Sequence, residues 1–326
     1  MPSRREWIAL TSGASAALAF DLEPLLAQAN SRVPSAERRV PSPITRPIPS
    51  SGELVPVVGL GSAATFSEAA RAEDVSAIRD VLKTMFDLGG TVFDTAPSYG
   101  ASEEVAGSLV NELGLADKVF WATKVNVASR GGTADRSAAL AQIEASFARI
   151  KRPKIDLIQV HNLGDVPTQL GILKELKRQG RVRYLGVTTT SDGQYGELEQ
   201  IMKNEPLDFI EIDYSIANRN VEEVILPLAL QRKIGVIVAL PFGRAALFSQ
   251  VAGKPLPEWA KDIDVESWAQ YFLKYLIGHP AVTVAIPSTS KPANMRDNMG
   301  GAMGRLPDDV TRKRMVEYFE SIASGR

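Results

Sequence analysis

The chain has no cysteine and only two histidines, His161 and His279. Without thiols there is no disulfide framework, no thiolate zinc site and no cysteine nucleophile. Two imidazoles are too few for a multi-histidine metal centre, so no metal is expected. A surplus of one charge is also missing, because 37 Lys and Arg against 38 Asp and Glu leave a net charge of −1. Binding nucleic acid through a basic face needs such a surplus, so no nucleic-acid partner is expected. Long apolar runs are absent as well. The stretch from Trp7 to Phe20 is fourteen residues, short of the roughly 20 that a bilayer-spanning helix needs. The remainder, 44% hydrophobic and 23% charged, is the composition of an ordinary folded domain.

The first fifty residues read as transport and tether. Arg4 and Arg5 precede the apolar stretch, and Ala27-Gln28-Ala29 supplies a small-residue cleavage site. Residues 1–29 therefore have the layout of an export signal of the twin-arginine type, with Trp7 where Phe is commoner. This layout implies the twin-arginine translocase as a partner, a periplasmic or exported destination and no membrane anchor after cleavage. The rival is a frayed amphipathic helix with a chance arginine pair, which Asp21 and Glu23 favour and which leaves the protein in the cytoplasm. Residues 30–50 carry Pro34, Pro41, Pro43, Pro47 and Pro49. Such a segment has too little apolar surface to offset its ordering entropy, and reads as a disordered tether.

From residue 51 to 326 one pattern repeats. Apolar runs at Val57–Gly61, Thr91–Asp94, Val119–Lys124, Asp156–His161, Val182–Thr188, Asp208–Tyr214, Gly235–Leu240 and Val282–Ile286 alternate with helical periodicity. The helices are expected over Asp74–Leu88, Glu103–Leu113, Arg136–Ile150, Thr168–Gln179, Tyr195–Lys203, Val221–Arg232 and Val265–Ile277, with Asp135 and Thr168 as N-caps. Continuous apolar strands joined by helices imply a parallel sheet covered on both faces. Eight such units predict a single-domain (β/α)8 TIM barrel of the α/β class. A doubly wound sheet would show G-x-G-x-x-G after its first strand, and Gly59-Leu60-Gly61 has no third glycine at that spacing. Pro241–Ile263 reads as a loop inserted above the mouth, and Asp308–Ile322 as an outer helix.

Chemistry in such a barrel collects at the C-terminal ends of the strands. Side chains alternate, so Val92 and Asp94 share a face, as do Ala122 and Lys124, and Leu157, Gln159 and His161. If those faces point inward, an acid, a phenol, an amine and an imidazole meet at one mouth. Each residue alone has a duller explanation: a turn aspartate, a loop tyrosine, a solvated lysine, a structural histidine. Together, at successive strand ends, they form a candidate site. His279, before Pro280 at a helix end, reads as structural.

The segment Asp94-Thr-Ala-Pro-Ser-Tyr99-Gly-Ala-Ser-Glu103, followed in order by Lys124, His161, Gly186-Val187, Tyr214-Ser215 and Ile286-Pro287 through Asn298, resembles the aldo-keto reductases. The resemblance runs from about residue 54 to 322. It implies a catalytic tetrad of Asp94, Tyr99, Lys124 and His161, with NADP as cofactor and NAD possible. Its implied reaction reduces a small aldehyde or ketone, with hydride from the nicotinamide and a proton from Tyr99. In that reading Lys124 favours the phenolate and lowers the pKa of Tyr99. Thr188, Thr189 and Glu211 would face the carboxamide, and Tyr214 would stack on its ring. Gly61, Ser62, Phe242, Gly243, Ser288, Thr289, Lys291, Arg296 and Asn298 complete the implied cofactor set. The sequence departs from the family where Thr188-Thr189 replaces Ser-Asn and Glu211 replaces Gln. Ser288 and Asn294 also stand where cations are common. These departures keep a second function open, a nicotinamide-binding scaffold or redox sensor with little turnover.

Replacing Arg4 and Arg5 by Lys should leave the protein in the cytoplasm. Fractionation that finds it still delivered to the periplasm would exclude the twin-arginine route.

Overall fold

The computed structural model describes residues 42–323. The expected signal, residues 1–29, and most of the expected tether lie outside them. A two-stranded antiparallel hairpin, β1 (Thr45–Pro47) and β2 (Leu54–Pro56), comes first. Eight parallel strands follow, paired in chain order: β3 (Leu60–Gly61), β4 (Val92–Asp94), β5 (Phe120–Val125), β6 (Ile155–Val160), β7 (Val182–Thr189), β8 (Phe209–Asp213), β9 (Gly235–Ala239) and β10 (Val282–Ala285). The two end strands meet. Gly59 N–H donates to Ala285 O and Ala285 N–H donates to Val57 O, both at 2.9 Å, and a further bridge joins Gly61 to Ser288. A Cβ on Gly61 would lie 2.6 Å from the carbonyl oxygen of Ile286, so the closing seam requires glycine there.

The helices between the strands are α1 (Thr65–Ala69), α2 (Ser76–Asp87), α3 (Ser102–Glu112), α4 (Arg136–Ile150), α5 (Val166–Arg178), α6 (Tyr195–Asn204), α7 (Ile225–Arg232), α8 (Ala246–Gln250), α9 (Trp268–Ile277) and α10 (Pro292–Gly300), with α11 (Asp309–Ala323) last. Asp135 caps α4 as expected, accepting from Ala138 N–H at 2.7 Å. The cap of α5 is Asp165 and not Thr168. Its carboxylate accepts from Thr168 N–H at 3.4 Å and from Ala134 N–H at 2.8 Å. Pro167 in the first turn has no N–H to satisfy, so the helix starts ahead of it. The loop expected over Pro241–Ile263 holds α8 and a 3-10 turn at Glu258–Ile263.

Inside the barrel, alternate side chains stack in layers. Phe120, Tyr184 and Phe209 form an aromatic group with ring centroids 5.7, 5.9 and 6.1 Å apart. Val92, Ala122, Leu157, Ile237 and Val284 belong to the same buried cluster. One residue pair further along their strands, towards the C-terminal ends, the interior turns polar with Asp94, Lys124, Gln159 and Glu211. The alternation read from the sequence therefore points the expected faces inward.

Two expectations need correction. The first barrel strand pairs only over Leu60–Gly61, with Val57 and Val58 serving the closing seam instead. More consequentially, the tether expected to reach residue 50 is ordered structure from residue 42 onward. Ile48 is completely buried and joins Val55 in the interior cluster. Arg46 donates to the carbonyls of Ile277 and His279 at 2.9 Å each, and also to Val282 O. The hydroxyl of Tyr184 donates to Glu53 at 2.6 Å. Average composition hid this, because the proline-rich stretch holds one isoleucine that the barrel interior can bury. Ile48→Ala should destabilise the fold by about 2–5 kcal/mol. Chemical denaturation giving a loss under about 0.5 kcal/mol would show that the hairpin does not seal the interior.

Candidate functional site

The polar layer is organised around one ammonium. Lys124, on β5, is 1% exposed. Its Nζ donates to Asp94 Oδ1 at 2.6 Å and to Thr95 O at 3.1 Å. It also lies 3.2 Å from Glu211 Oε2. Glu211 in turn accepts from Gln159 Nε2 at 2.8 Å. An unpaired ammonium here would be costly, so two carboxylates and a carbonyl replace its water shell. Strand pairing sets the positions: Lys124 pairs with Gln159 across β5 and β6, and Thr188 with Glu211 across β7 and β8.

Tyr99 enters from the loop after β4. The turn that carries it is tied by Tyr99 N–H to Ala96 O at 3.0 Å and Ser102 N–H to Tyr99 O at 3.2 Å. Lys124 Nζ sits 5.3 Å from the centre of the Tyr99 ring. The ring of His161, at the end of β6, meets that of Tyr99 edge-on, 6.0 Å between centroids. The four residues expected to form the tetrad are thus brought together.

The electrostatics differ in one respect from expectation. Burial pushes the Tyr99 phenol up to about 12; Lys124 pulls it down, and Glu211 and Asp94 push it up again. Lys124 does favour the phenolate, but desolvation and the two carboxylates outweigh it. Burial followed by the charge of Lys124 drives His161 down to about 4, so the imidazole is neutral. Burial and the neighbouring Glu211 charge hold Asp94 well above the usual carboxylate range despite Lys124. Burial disfavours the charge on Lys124, yet Asp94 and Glu211 outweigh it, raise its pKa and keep it an ammonium.

The implied cofactor residues separate into groups. Ser62, Thr188 and Glu211 are buried at the mouth beside the tetrad, where Thr188 Oγ1 accepts from Asn162 N–H at 3.1 Å. Thr189 is committed to a local contact, donating to Gln194 Oε1 at 2.7 Å. Tyr214 is not a stacking surface. It is completely buried, with its hydroxyl bonded to Glu222 and, at 2.8 Å, to Arg312, and its ring 6.0 Å from that of Tyr275. Phe242 packs on Phe248 at 4.9 Å between ring centroids, beside Gly243 at φ +55. Ser288 donates to Ala63 O, and Thr289 accepts from Lys291 N–H at 3.1 Å. Lys291, the residue before α10, and Arg296, midway along it, are exposed, and Asn298 is buried within it. Glu211 pairs with Lys124, and the oxygen nearest the ammonium also accepts from Gln159.

Two site residues fall outside the sequence candidates. Gln159 lies two positions before His161 on the same face of β6, so strict alternation marks it. Asn162 carries no sequence signal; it takes φ +55 directly after His161. With Asn126, Ser129, Arg130, Ser191 and Gln194 it lines an open cavity of about 630 Å³ over the loops after β5, β6 and β7. Buried polar atoms without a partner gather at the mouth: Ser62 Oγ, Thr95 Oγ1, Asp94 Oδ2, Gln159 Oε1 and His161 Nδ1. Native interiors rarely leave such atoms unpaired, so this concentration marks a ligand site. No group of three or more metal-ligating side chains occurs among the described residues.

The C-terminal mouth of this (β/α)8 barrel thus brings together a phenol, an ammonium, a carboxylate and a neutral imidazole. The Aldo/keto reductase family model matches residues 57–313. The chain belongs to that family. It is 30% identical over 190 residues to the aldo-keto reductase YhdN of Bacillus subtilis, a match covering 56% of each chain. It is 28% identical over 256 residues to the methylglyoxal reductase YeaE of Escherichia coli, covering 76% of this chain and 86% of the relative. A crystal structure of an aldo/keto reductase from Klebsiella pneumoniae, in complex with NADP and acetate, shares the fold with a TM-score of 0.64 and 23% identity, covering 82% of this chain and 93% of the other.

Titrating tyrosinate absorbance in wild type and Tyr99→Phe should show no contribution from Tyr99 below about pH 11, since its phenol is held near 12. A difference transition between pH 8 and 10 would mean that Lys124 prevails over burial.

Proposed function

We propose that this protein is an NADP-dependent reductase of small aldehydes or ketones, with NAD the weaker cofactor. The observation that carries the reading is Tyr99 set edge-on to His161 at 6.0 Å, with Lys124 Nζ 5.3 Å from the Tyr99 ring centre. The name of the Escherichia coli relative and the NADP in the Klebsiella structure support the same chemistry.

Reduction of a carbonyl adds a hydride to carbon and a proton to oxygen. NADPH, when bound, would supply the hydride. The hydroxyl of Tyr99 then gives its proton to the carbonyl oxygen as the new C–H bond forms, so no free alkoxide develops. The ammonium of Lys124 stabilises the phenolate that remains. Asp94 keeps Lys124 in place at 2.6 Å. His161, being neutral, orients the carbonyl oxygen by hydrogen bonding without competing for the proton. The unpartnered atoms of Ser62, Thr95 and Gln159 fit a polar group at the mouth. At the other end, Lys291, Arg296 and the first turn of α10 would hold phosphates, since backbone donors at a helix start favour anions. Ser288 and Asn294 supply no charge there, which makes the preference for NADP modest.

One observation favours the scaffold or sensor reading. Glu211 and Thr189 have protein partners and Tyr214 is enclosed, so three of the implied nicotinamide contacts are otherwise occupied. Export by the twin-arginine route belongs to the first proposal and rests on the layout of residues 4–29 alone.

Tyr99→Phe should lower the rate of carbonyl reduction by about 10² or more while leaving NADPH affinity nearly unchanged. Wild-type turnover by the variant would sink the proton-donor assignment. Binding of NADPH with no turnover of any carbonyl by wild type would replace the enzyme with the scaffold.

A further inference from the structure

The mechanism above uses Asp94 to hold Lys124 and leaves Glu211 without a task. Yet Glu211 is only 4% exposed, and a buried carboxylate needs a reason. It stands 3.2 Å from the same ammonium that Asp94 already neutralises. One lysine therefore faces two carboxylates, and when both are ionised the cluster carries a net negative charge. The other groups that face it do not cancel that charge. Tyr99 from the loop after β4 is a neutral phenol and His161 at the end of β6 a neutral imidazole. Gln159 on β6, Thr188 on β7 and Ser62 after β3 carry none.

We infer that Glu211 makes this site select the oxidised, cationic nicotinamide over the reduced, neutral one, an inference that rests on the cofactor reading above. The two forms differ by one positive charge, which sits on the nicotinamide ring. Hydride transfer needs donor and acceptor carbons about 3–3.5 Å apart, and the acceptor's oxygen must reach Tyr99 and His161. The ring thus lies on the Tyr99 side of the Lys124–Glu211 cluster, and a unit charge pair about 10 Å apart at a protein site is worth about tenfold in affinity. A glutamine at the same position could hydrogen-bond Gln159 and Lys124 equally well but would supply no charge. Electrostatic selection is what the carboxylate adds.

The same arrangement links selection to pH. Burial and the neighbouring Glu211 hold the Asp94 carboxyl above the usual range; a proton on Asp94 neutralises the cluster, and removing it restores the negative charge. Preference for NADP⁺ should therefore grow as pH rises. NADP⁺ and NADPH share their phosphates, so the ratio of their dissociation constants cancels phosphate titration and isolates the ring charge.

The test measures both dissociation constants by calorimetry between pH 6 and 9 for wild type, Glu211→Gln and Glu211→Asp. In wild type, NADP⁺ should bind more tightly than NADPH, and the ratio should widen with pH. In Glu211→Gln the ratio should fall by about tenfold and lose its pH dependence. Glu211→Asp keeps the charge and should keep the ratio, even if both affinities weaken through looser packing. Binding of both forms with the same ratio in wild type and Glu211→Gln would overturn the proposal alone. Failure of wild type to bind either form would overturn the cofactor reading, and the proposal with it.

Discussion

An ammonium deprived of water at the barrel mouth is the constraint on which the site depends. Lys124 has no exposed side-chain surface, so every charge that stabilises it must come from the protein. Asp94, Glu211 and the carbonyl of Thr95 do this from β4, β8 and the turn after β4. Because these partners lie on different strands, the ion cluster tolerates little error in barrel register. A shift of one residue on any of these strands would turn its polar group outward and bring an apolar one in. Chemistry and closure of the barrel are in this sense one requirement.

The opposite end solves a complementary problem. The aromatic group of Phe120, Tyr184 and Phe209 would face water at the N-terminal end of the strands if nothing covered it. The hairpin of β1 and β2 inserts Ile48 and Val55 there, and Arg46 bonds to three carbonyls near the start of β10. Burying an isoleucine contributes about 1.5–3 kcal/mol. The interior thus runs from an apolar, capped end to a polar, open one. Most of the buried polar atoms without a partner lie at the polar end.

Lys124 is not the only influence on Tyr99. Desolvation and a second carboxylate reverse the effect of Lys124 on Tyr99, so the phenol is an acid throughout the neutral range. The enclosed Tyr214 belongs instead to a buried network with Glu222, Tyr275 and Arg312 that fastens α9 and α11 to the loop after β8.

Local periodicity alone determined much of this protein. Alternation of two placed Asp94, Lys124 and Gln159 on inward faces before any strand was paired, and the run from Asp94 to Glu103 marked the turn that carries Tyr99. Eight apolar runs separated by helical stretches determined the barrel. Such signals survive in the sequence because side-chain direction within a strand depends only on neighbours along the chain. What the tertiary structure decided depends on neighbours far apart. Ile48 becomes core only because β4 to β10 leave a hole of its size, which no property of a proline-rich segment can announce. Glu211 reads as a carboxamide partner until β8 is set near β5, where it becomes a counter-ion. Tyr214 stands in a family motif, yet Arg312, nearly a hundred positions later, claims its hydroxyl. The pKa of Tyr99 depends on distant neighbours in the same way. The attraction of Lys124 follows from the motif, but desolvation belongs to the whole shell of side chains that closes around the ring, and it exists only once the barrel has formed.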